Sequence, residues 1–280
     1  NNIVILGSDG LLASDLVELL QYEGGASIRM YSRELCDITK YKNVYYDLVS
    51  ETTHVINCAA VKDMDICEKN PDLAYAVNDK AVKNLADACL ENKIHLTHFS
   101  TAYVFDGNKN EPYLENDLAN PMSIYAKSKL AGEGHVLAMG DKGLVIRTNW
   151  MFGKYRANFV NEIIANLDSN KPTELEDDEI GNPTYSLDLA NAVLHLALHG
   201  KSGLYNVTNG ESCSKYELGL KAAEYLQKNK ELIKSKKSTN NLIPKYSVLS
   251  SNRLIQTLPE IPRPWPSAIY QYLLEIGKVQ

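Results

Sequence analysis

The sequence predicts an α/β fold, one doubly wound parallel sheet with a smaller, interleaved C-terminal lobe. Three observations predict it. Short apolar runs alternate with helix-period segments as far as Arg147, and a glycine turn, Gly7-Ser8-Asp9-Gly10, separates the first run from the first helical pattern. The apolar runs are also continuous, as strands covered on both faces must be. Strands alternating with helices imply βαβ units, and with a glycine turn at the first crossover they imply a Rossmann-type sheet.

The elements follow in order. Ile3–Leu6 reads as a strand, Leu11–Gln21 as an amphipathic helix and Ser27–Tyr31 as a second strand. Val55–Ala60 is the next apolar run. Apolar residues at Leu73, Ala76, Val77, Ala81, Leu85, Ala88 and Cys89 keep helical spacing and predict one helix over 72–92. Ile94–Ser100, Ser123–Met139 and Leu144–Thr148 then read as strand, helix, strand. After Trp150 the order loosens: a helix at Asn158–Asn166, a polar, turn-rich stretch over Lys171–Pro183, a helix at Ser186–Leu198 and a strand at Leu204–Val207. A helix at Lys215–Gln227 precedes a loop-rich segment, and Pro262-Arg263-Pro264-Trp265-Pro266 introduces the last helix.

Composition narrows the function classes. A chain of 280 residues with a formal charge of −6 lacks the basic stripe that a phosphate-backbone partner calls for, so nucleic acid is not expected. The lysines at 228, 230, 234, 236 and 237 cluster without interleaved aromatics and read as a solvated surface. No apolar run reaches the roughly 20 residues needed to span a bilayer, and the N-terminal residues read as a first strand and not a signal peptide. Five cysteines with no C-x-x-C pair and no zinc spacing read as small buried residues in a reducing, cytoplasmic compartment.

Gly7-Ser8-Asp9-Gly10-Leu11-Leu12-Ala13 has the strand–turn–helix context of a dinucleotide fingerprint, although its glycines are spaced more widely than G-x-G-x-x-G. Gly7 would permit the tight turn, Gly10 a close approach to pyrophosphate, and Ala13 close helix–strand packing; the anion would rest on the helix N-terminus. An acid at the end of the second strand would favour NAD. Here that strand ends Met30-Tyr31-Ser32-Arg33, so Ser32 and Arg33 favour a 2′-phosphate and NADP(H), with Glu34 keeping NAD(H) open. Residues 1–147 are therefore expected to form the dinucleotide-binding core, with 184–209 returning to it, and 148–280 mainly a substrate-binding lobe.

Tyr125-Ala126-Lys127-Ser128-Lys129 sets a tyrosine and a lysine four residues apart, on one helix face. Of the 17 tyrosines only Tyr125 has a lysine at that spacing. An ammonium beside a phenol favours the phenolate, which makes the tyrosine a usable proton donor and acceptor near neutral pH.

These motifs, with Val55-Ile56-Asn57-Cys58-Ala59-Ala60, Val77-Asn78, Ser100-Thr101-Ala102-Tyr103-Val104-Phe105-Asp106-Gly107, Arg147-Thr148-Asn149-Trp150, Gly181-Asn182-Pro183-Thr184-Tyr185 and Arg263-Pro264-Trp265, give the chain a resemblance along its whole length. It resembles the dTDP-4-dehydrorhamnose reductase family of extended short-chain dehydrogenases/reductases. The resemblance implies hydride transfer from a reduced nicotinamide to the 4-keto carbon of a nucleotide-linked 6-deoxyhexose, in deoxysugar or polysaccharide synthesis. It implies that Tyr125 protonates the carbonyl oxygen, that Lys129 holds the nicotinamide ribose and lowers the tyrosine's pKa, and that Thr101 bonds the same oxygen. Gly7, Asp9, Gly10, Leu11, Leu12, Ser32, Arg33, Asp37, Ile38, Ala59, Ala60, Asn78 and Ser100, together with Tyr125 and Lys129, are implied at the cofactor. Ala102, Tyr103, Val104 and Trp150 are implied at the sugar. Some relatives bind a divalent cation at a dimer contact; a homodimer is compatible with the resemblance, and no cluster in this sequence demands a metal.

One position departs from the family. Aspartate usually follows the threonine, and here it is Ala102, which removes a charge-assisted hydrogen bond worth roughly 1.5–3 kcal/mol. The pair Ala102-Tyr103 also argues against a 4,6-dehydratase, which resembles this fold but needs Asp-Glu after the threonine. A nucleotide-sugar 4-epimerase uses the same tyrosine and lysine and stays open. So does a non-catalytic NADP-binding subunit resembling the regulatory subunit of methionine adenosyltransferase. His195 and His199 stand four apart but lack a general-base glutamate and a third ligand, so they read as structural. Asp63-Met64-Asp65 reads as a helix start, and the acidic run 174–179 as a solvated turn.

Overall fold

The computed structural model describes residues 1–40, 51–258 and 262–279. Strands β1 (Asn2–Leu6), β2 (Ser27–Tyr31), β3 (His54–Asn57), β4 (His95–Thr101), β5 (Gly143–Thr148) and, later in the chain, β6 (Gly203–Asn206) form one sheet in the spatial order β2-β1-β3-β4-β5-β6. Every pairing in it is parallel. Successive residues of a strand point to opposite faces, and here both faces are covered. Ile3 and Ile5 join Ile56 and Ile146 beneath α1 (Leu11–Glu23) and a later helix, Ser186–Leu198. Val4 and Leu6 join Val55, Leu96 and Val145 beneath α2 (Ala81–Glu91) and α3 (Ile124–Leu137). That double burial is the physical reason the central strands β1, β3 and β5 are mostly apolar, whereas the edge strand β2 has no buried residue.

Strand order reverses at β1, which has β2 on one side and β3 to β6 on the other. The carboxyl ends of β1, β3, β4 and β5 therefore open onto a crevice, where ligands of such sheets bind. Residues after β5 build a second cluster. Helices α4 (Phe159–Asp168), α6 (Lys215–Tyr225) and α7 (Trp265–Glu275), which flank Ser186–Leu198 (α5) in the chain, pack around Phe152, Tyr185 and Tyr272. These three rings have centroids 5.5–5.9 Å apart. By contrast α5 packs against the sheet with α1, and β6 extends the sheet beside β5.

Three expectations are corrected. The strand expected over Val55–Ala60 stops at Asn57, whose Oδ1 accepts the Ala59 N–H at 3.1 Å and turns the chain out of the sheet. The single helix expected over 72–92 is a helix from Pro71 to Tyr75, a π turn over Ala76–Lys80, and then α2. In that turn the buried Asn78 side chain bonds the Val61 N–H and C=O, each at 2.9 Å, and the Ser128 hydroxyl of α3 at 3.0 Å. The turn-rich Lys171–Pro183 holds a strand, Thr173–Glu176, paired in parallel with Ile233–Lys236 in the segment expected to be loop. Both strands are short and charged, so periodicity alone does not reveal them. The expected helix start at Asp63 is present, with its carboxylate capping the Ile66 N–H at 2.9 Å.

α3 lies close to the π turn because Gly132 has no side chain: a Cβ there would sit 2.3 Å from the Asn78 carbonyl oxygen. Gly134, one residue pair along the same helix, has nothing within 4 Å. Gly132→Ala is therefore expected to destabilise the fold by about 1–3 kcal/mol. Gly134→Ala should instead stabilise it by about 0.5–1 kcal/mol. Urea denaturation of the two variants beside the parent checks both signs.

Candidate active site

The crevice is a cavity of about 930 Å³ that runs from the glycine turn past the ends of β3 and β4 to Trp150. At one end Gly7 has φ +71°, and a Cβ on it would meet the Ala59 backbone nitrogen at 2.7 Å, so only glycine fits. The Gly7 and Ser8 N–H groups both donate to the Tyr31 carbonyl at 2.9 and 3.1 Å, which ties the turn to the end of β2. Gly10 is the N-cap of α1 and has no side chain to cap it, leaving the helix N-terminus available to an anion. Further out, Arg33, Cys36, Asp37 and Ile38 line the cavity. The Asp37 carboxylate is held below its ordinary pKa by hydrogen bonds from the Thr39 hydroxyl and N–H, at 2.7 and 3.0 Å.

At the other end, Ser123 caps α3 by accepting the Ala126 N–H at 3.2 Å, which sets Tyr125 in the first turn and Lys129 one turn on. Thr101 ends β4 and faces the same cavity. Burial pushes the Tyr125 phenol up to about 12, with hydrogen bonding to Thr101 opposing it. Burial pulls Lys129 down to about 8, partly offset by Glu133. The lysine Nζ lies 3.3 Å from Nε2 of His98, which burial and then Lys129 itself hold well below the ordinary histidine pKa. Burial thus acts on Tyr125 against the lowering expected of Lys129. Desolvation penalises the charged form of each group and outweighs their proximity.

Gly7, Asp9, Gly10, Leu11, Leu12, Arg33, Asp37, Ile38, Ala59, Ala60, Ser100, Thr101, Tyr103, Tyr125, Lys129 and Trp150 all line the cavity. Four expected residues do not. Ser32 turns its hydroxyl to the Leu35 N–H at 3.4 Å, and Asn78 is buried behind the wall it pins. Ala102 and Val104 are fully buried in a cluster with Phe105, Tyr113 and Leu249, so only Tyr103 of that triplet reaches the sugar end. The 3-10 turn over Ala102–Val104 imposes this, pointing its flanking residues inward. Sequence reasoning missed Arg156, Phe159 and Lys215, which also line the cavity. For Lys215 a signal existed: Ser214-x-x-Glu217 forms a capping box that places it first in α6.

The residues present fit a dinucleotide. The cradle at Gly7 accepts no side chain, the α1 N-terminus has no side-chain cap, and the buried hydroxyls of Ser100 and Thr148 at the strand ends have no hydrogen-bond partner among the described residues. Comparison with known proteins agrees. Residues 1–277 match the family model described as the RmlD substrate binding domain. The chain is 30% identical to the dTDP-4-keto-6-deoxy-D-glucose reductase of Streptomyces niveus, over 96% of this chain and 95% of that one. It is 34% identical to the dTDP-4-dehydrorhamnose reductase of Aggregatibacter actinomycetemcomitans, over 75% and 74% of the two chains. The crystal structure of dTDP-4-dehydrorhamnose reductase from Bacillus anthracis in complex with NADP superposes with a TM-score of 0.91 at 31% identity, covering 98% of this chain and 99% of that one. On fold, cavity and these similarities together, the chain belongs to the RmlD substrate binding domain family.

Proposed function

We propose that this protein is an NADPH-dependent reductase of the 4-keto group of a nucleotide-linked 6-deoxyhexose. The observation that carries the reading is the meeting of Thr101, Tyr125 and Lys129 in the cavity that also holds the uncapped glycine turn. When bound, the reduced nicotinamide supplies the hydride. Gly7, Gly10 and the α1 N-terminus would hold the pyrophosphate, and Arg33 a 2′-phosphate. The phenol of Tyr125 keeps its proton across the neutral range and gives it to the carbonyl oxygen as charge develops there. Thr101 donates to the same oxygen. Lys129, charged below about pH 8, stabilises the phenolate that the transfer leaves behind. Trp150, Phe159 and Tyr103 wall the sugar end and exclude water.

Mixing the protein with NADPH and dTDP-4-dehydrorhamnose and following NADPH consumption tests the reading; no turnover with this or any related keto sugar would overturn it. Tyr125→Phe is expected to lower kcat by about 10²–10⁴-fold with NADPH binding retained. Arg33→Ala should raise KM for NADPH by about 10-fold or more and leave KM for NADH nearly unchanged, since only the former offers a phosphate. The pH dependence has a definite sign. A depressed lysine loses its proton as pH rises, so kcat/KM for NADPH should be level below about pH 8 and fall above it.

A further inference from the structure

The sugar end of the cavity contains a donor that the mechanism does not use, Lys215, set against the Trp150 ring. Trp150 has φ +37°, and its ring is fixed by Gly181 beneath it, where a Cβ would meet ring atoms at 2.8 and 3.0 Å, and by Phe159 edge-on at 6.4 Å. Its indole Nε1 is buried, and hydrogen bonding from the Trp150 side chain acts on the neighbouring Tyr103 phenol. Lys215 reaches across the same ring, with Nζ 5.7 Å from its centroid. The ammonium is anchored from behind by Glu179 at 2.7 Å and Glu176 at 3.3 Å. Glu179 is 1% exposed, whereas the lysine side chain keeps 21% of its surface and lines the cavity. An ammonium has three protons, so two bonds to carboxylates leave one for a ligand.

Charge decides which ligand atom suits it. Glu176 also takes Lys236 at 3.3 Å, so two carboxylates are matched by two lysines and the group is neutral as a whole. A phosphate brought to Lys215 would meet the Glu179 carboxylate behind it with no surplus positive charge to compensate. A neutral oxygen, such as a sugar hydroxyl, meets no such repulsion. The phenol of Tyr103 stands beside the lysine, and burial followed by that ammonium are the leading influences on its pKa, which is raised. We propose that Lys215 is a specificity-determining subsite that donates to a hydroxyl oxygen of the hexose. This rests on the reductase reading, and it assigns to α6 a contact that places the sugar beside Tyr125.

The test is calorimetric binding of dTDP-rhamnose and of dTDP to the NADP-loaded protein, so that the hexose is the only difference between probes. Lys215→Met alone would leave two carboxylates facing one lysine, so the variant is Lys215→Met/Glu179→Gln, with NADPH affinity as the control for an intact cleft. The expected result is a loss of about 10-fold or more in affinity for dTDP-rhamnose with dTDP changed by less than about 2-fold. Equal losses for both probes would place the contact on the nucleotide or its phosphates and overturn the proposal. So would no loss, or a parent protein that binds dTDP-rhamnose no better than dTDP. Turnover of the keto sugar by the parent is measured separately, so failure of the reductase reading shows there and not here.

Discussion

The arrangement depends on an ammonium held inside the protein. Lys129 is 3% exposed, and a buried charge of this kind is tolerated only where partners surround it. They come from several elements. His98 on β4 stands 3.3 Å from its Nζ and is itself 3.2 Å from Asn57 at the end of β3. Glu133, one turn further along α3, contributes the opposing charge and is gripped by Arg147 of β5 through two bonds of 2.9 and 2.7 Å. Arg147 in turn lies 5.0 Å from the Phe105 ring centroid. One buried polar network thus joins β3, β4 and β5 to the helix that bears the tyrosine.

The same helix is also held by backbone packing. Asn78 bonds both the Val61 backbone and Ser128, and Gly132 lets the π turn lie against α3. A π turn within a helix is a common device at functional sites, since it shifts the following residues without ending the helix. Here it brings the wall after β3, the turn and the helix that bears Tyr125 together in one small volume. Tyr125 and Thr101 consequently meet in one cavity from two anchored elements, as the proposed proton transfer requires.

Much of this was legible in the sequence, for identifiable reasons. Strands buried on both faces are apolar along their length, so β1, β3 and β5 announce themselves, and the Tyr125–Lys129 spacing can mean one helix face. The glycine turn was readable because Gly7 occupies a conformation and a contact that exclude any side chain. What the sequence concealed depends on the third dimension. The π turn keeps helical periodicity, so 72–92 looked continuous. The pair Thr173–Glu176 and Ile233–Lys236 is charged and far apart in the chain. Ala102 and Val104 alternate with a residue that faces the cavity, yet both turn into the core, so the missing family aspartate is replaced by a core methyl and not by a gap at the sugar. The depressed lysine was hidden for the same reason, because desolvation follows from packing and leaves no mark on spacing.

Burial of Lys129 is expected to bring its titration into the working pH range. The direct measurement is an NMR titration of the protein with ¹³C-labelled lysine ε-carbons, with the Lys129 resonance assigned by its absence in Lys129→Met. A resonance titrating at about 8, well apart from the other lysines, is the predicted result. Titration at the ordinary lysine value of about 10.4 would show that the buried network does not act on the ammonium, and would contradict the account.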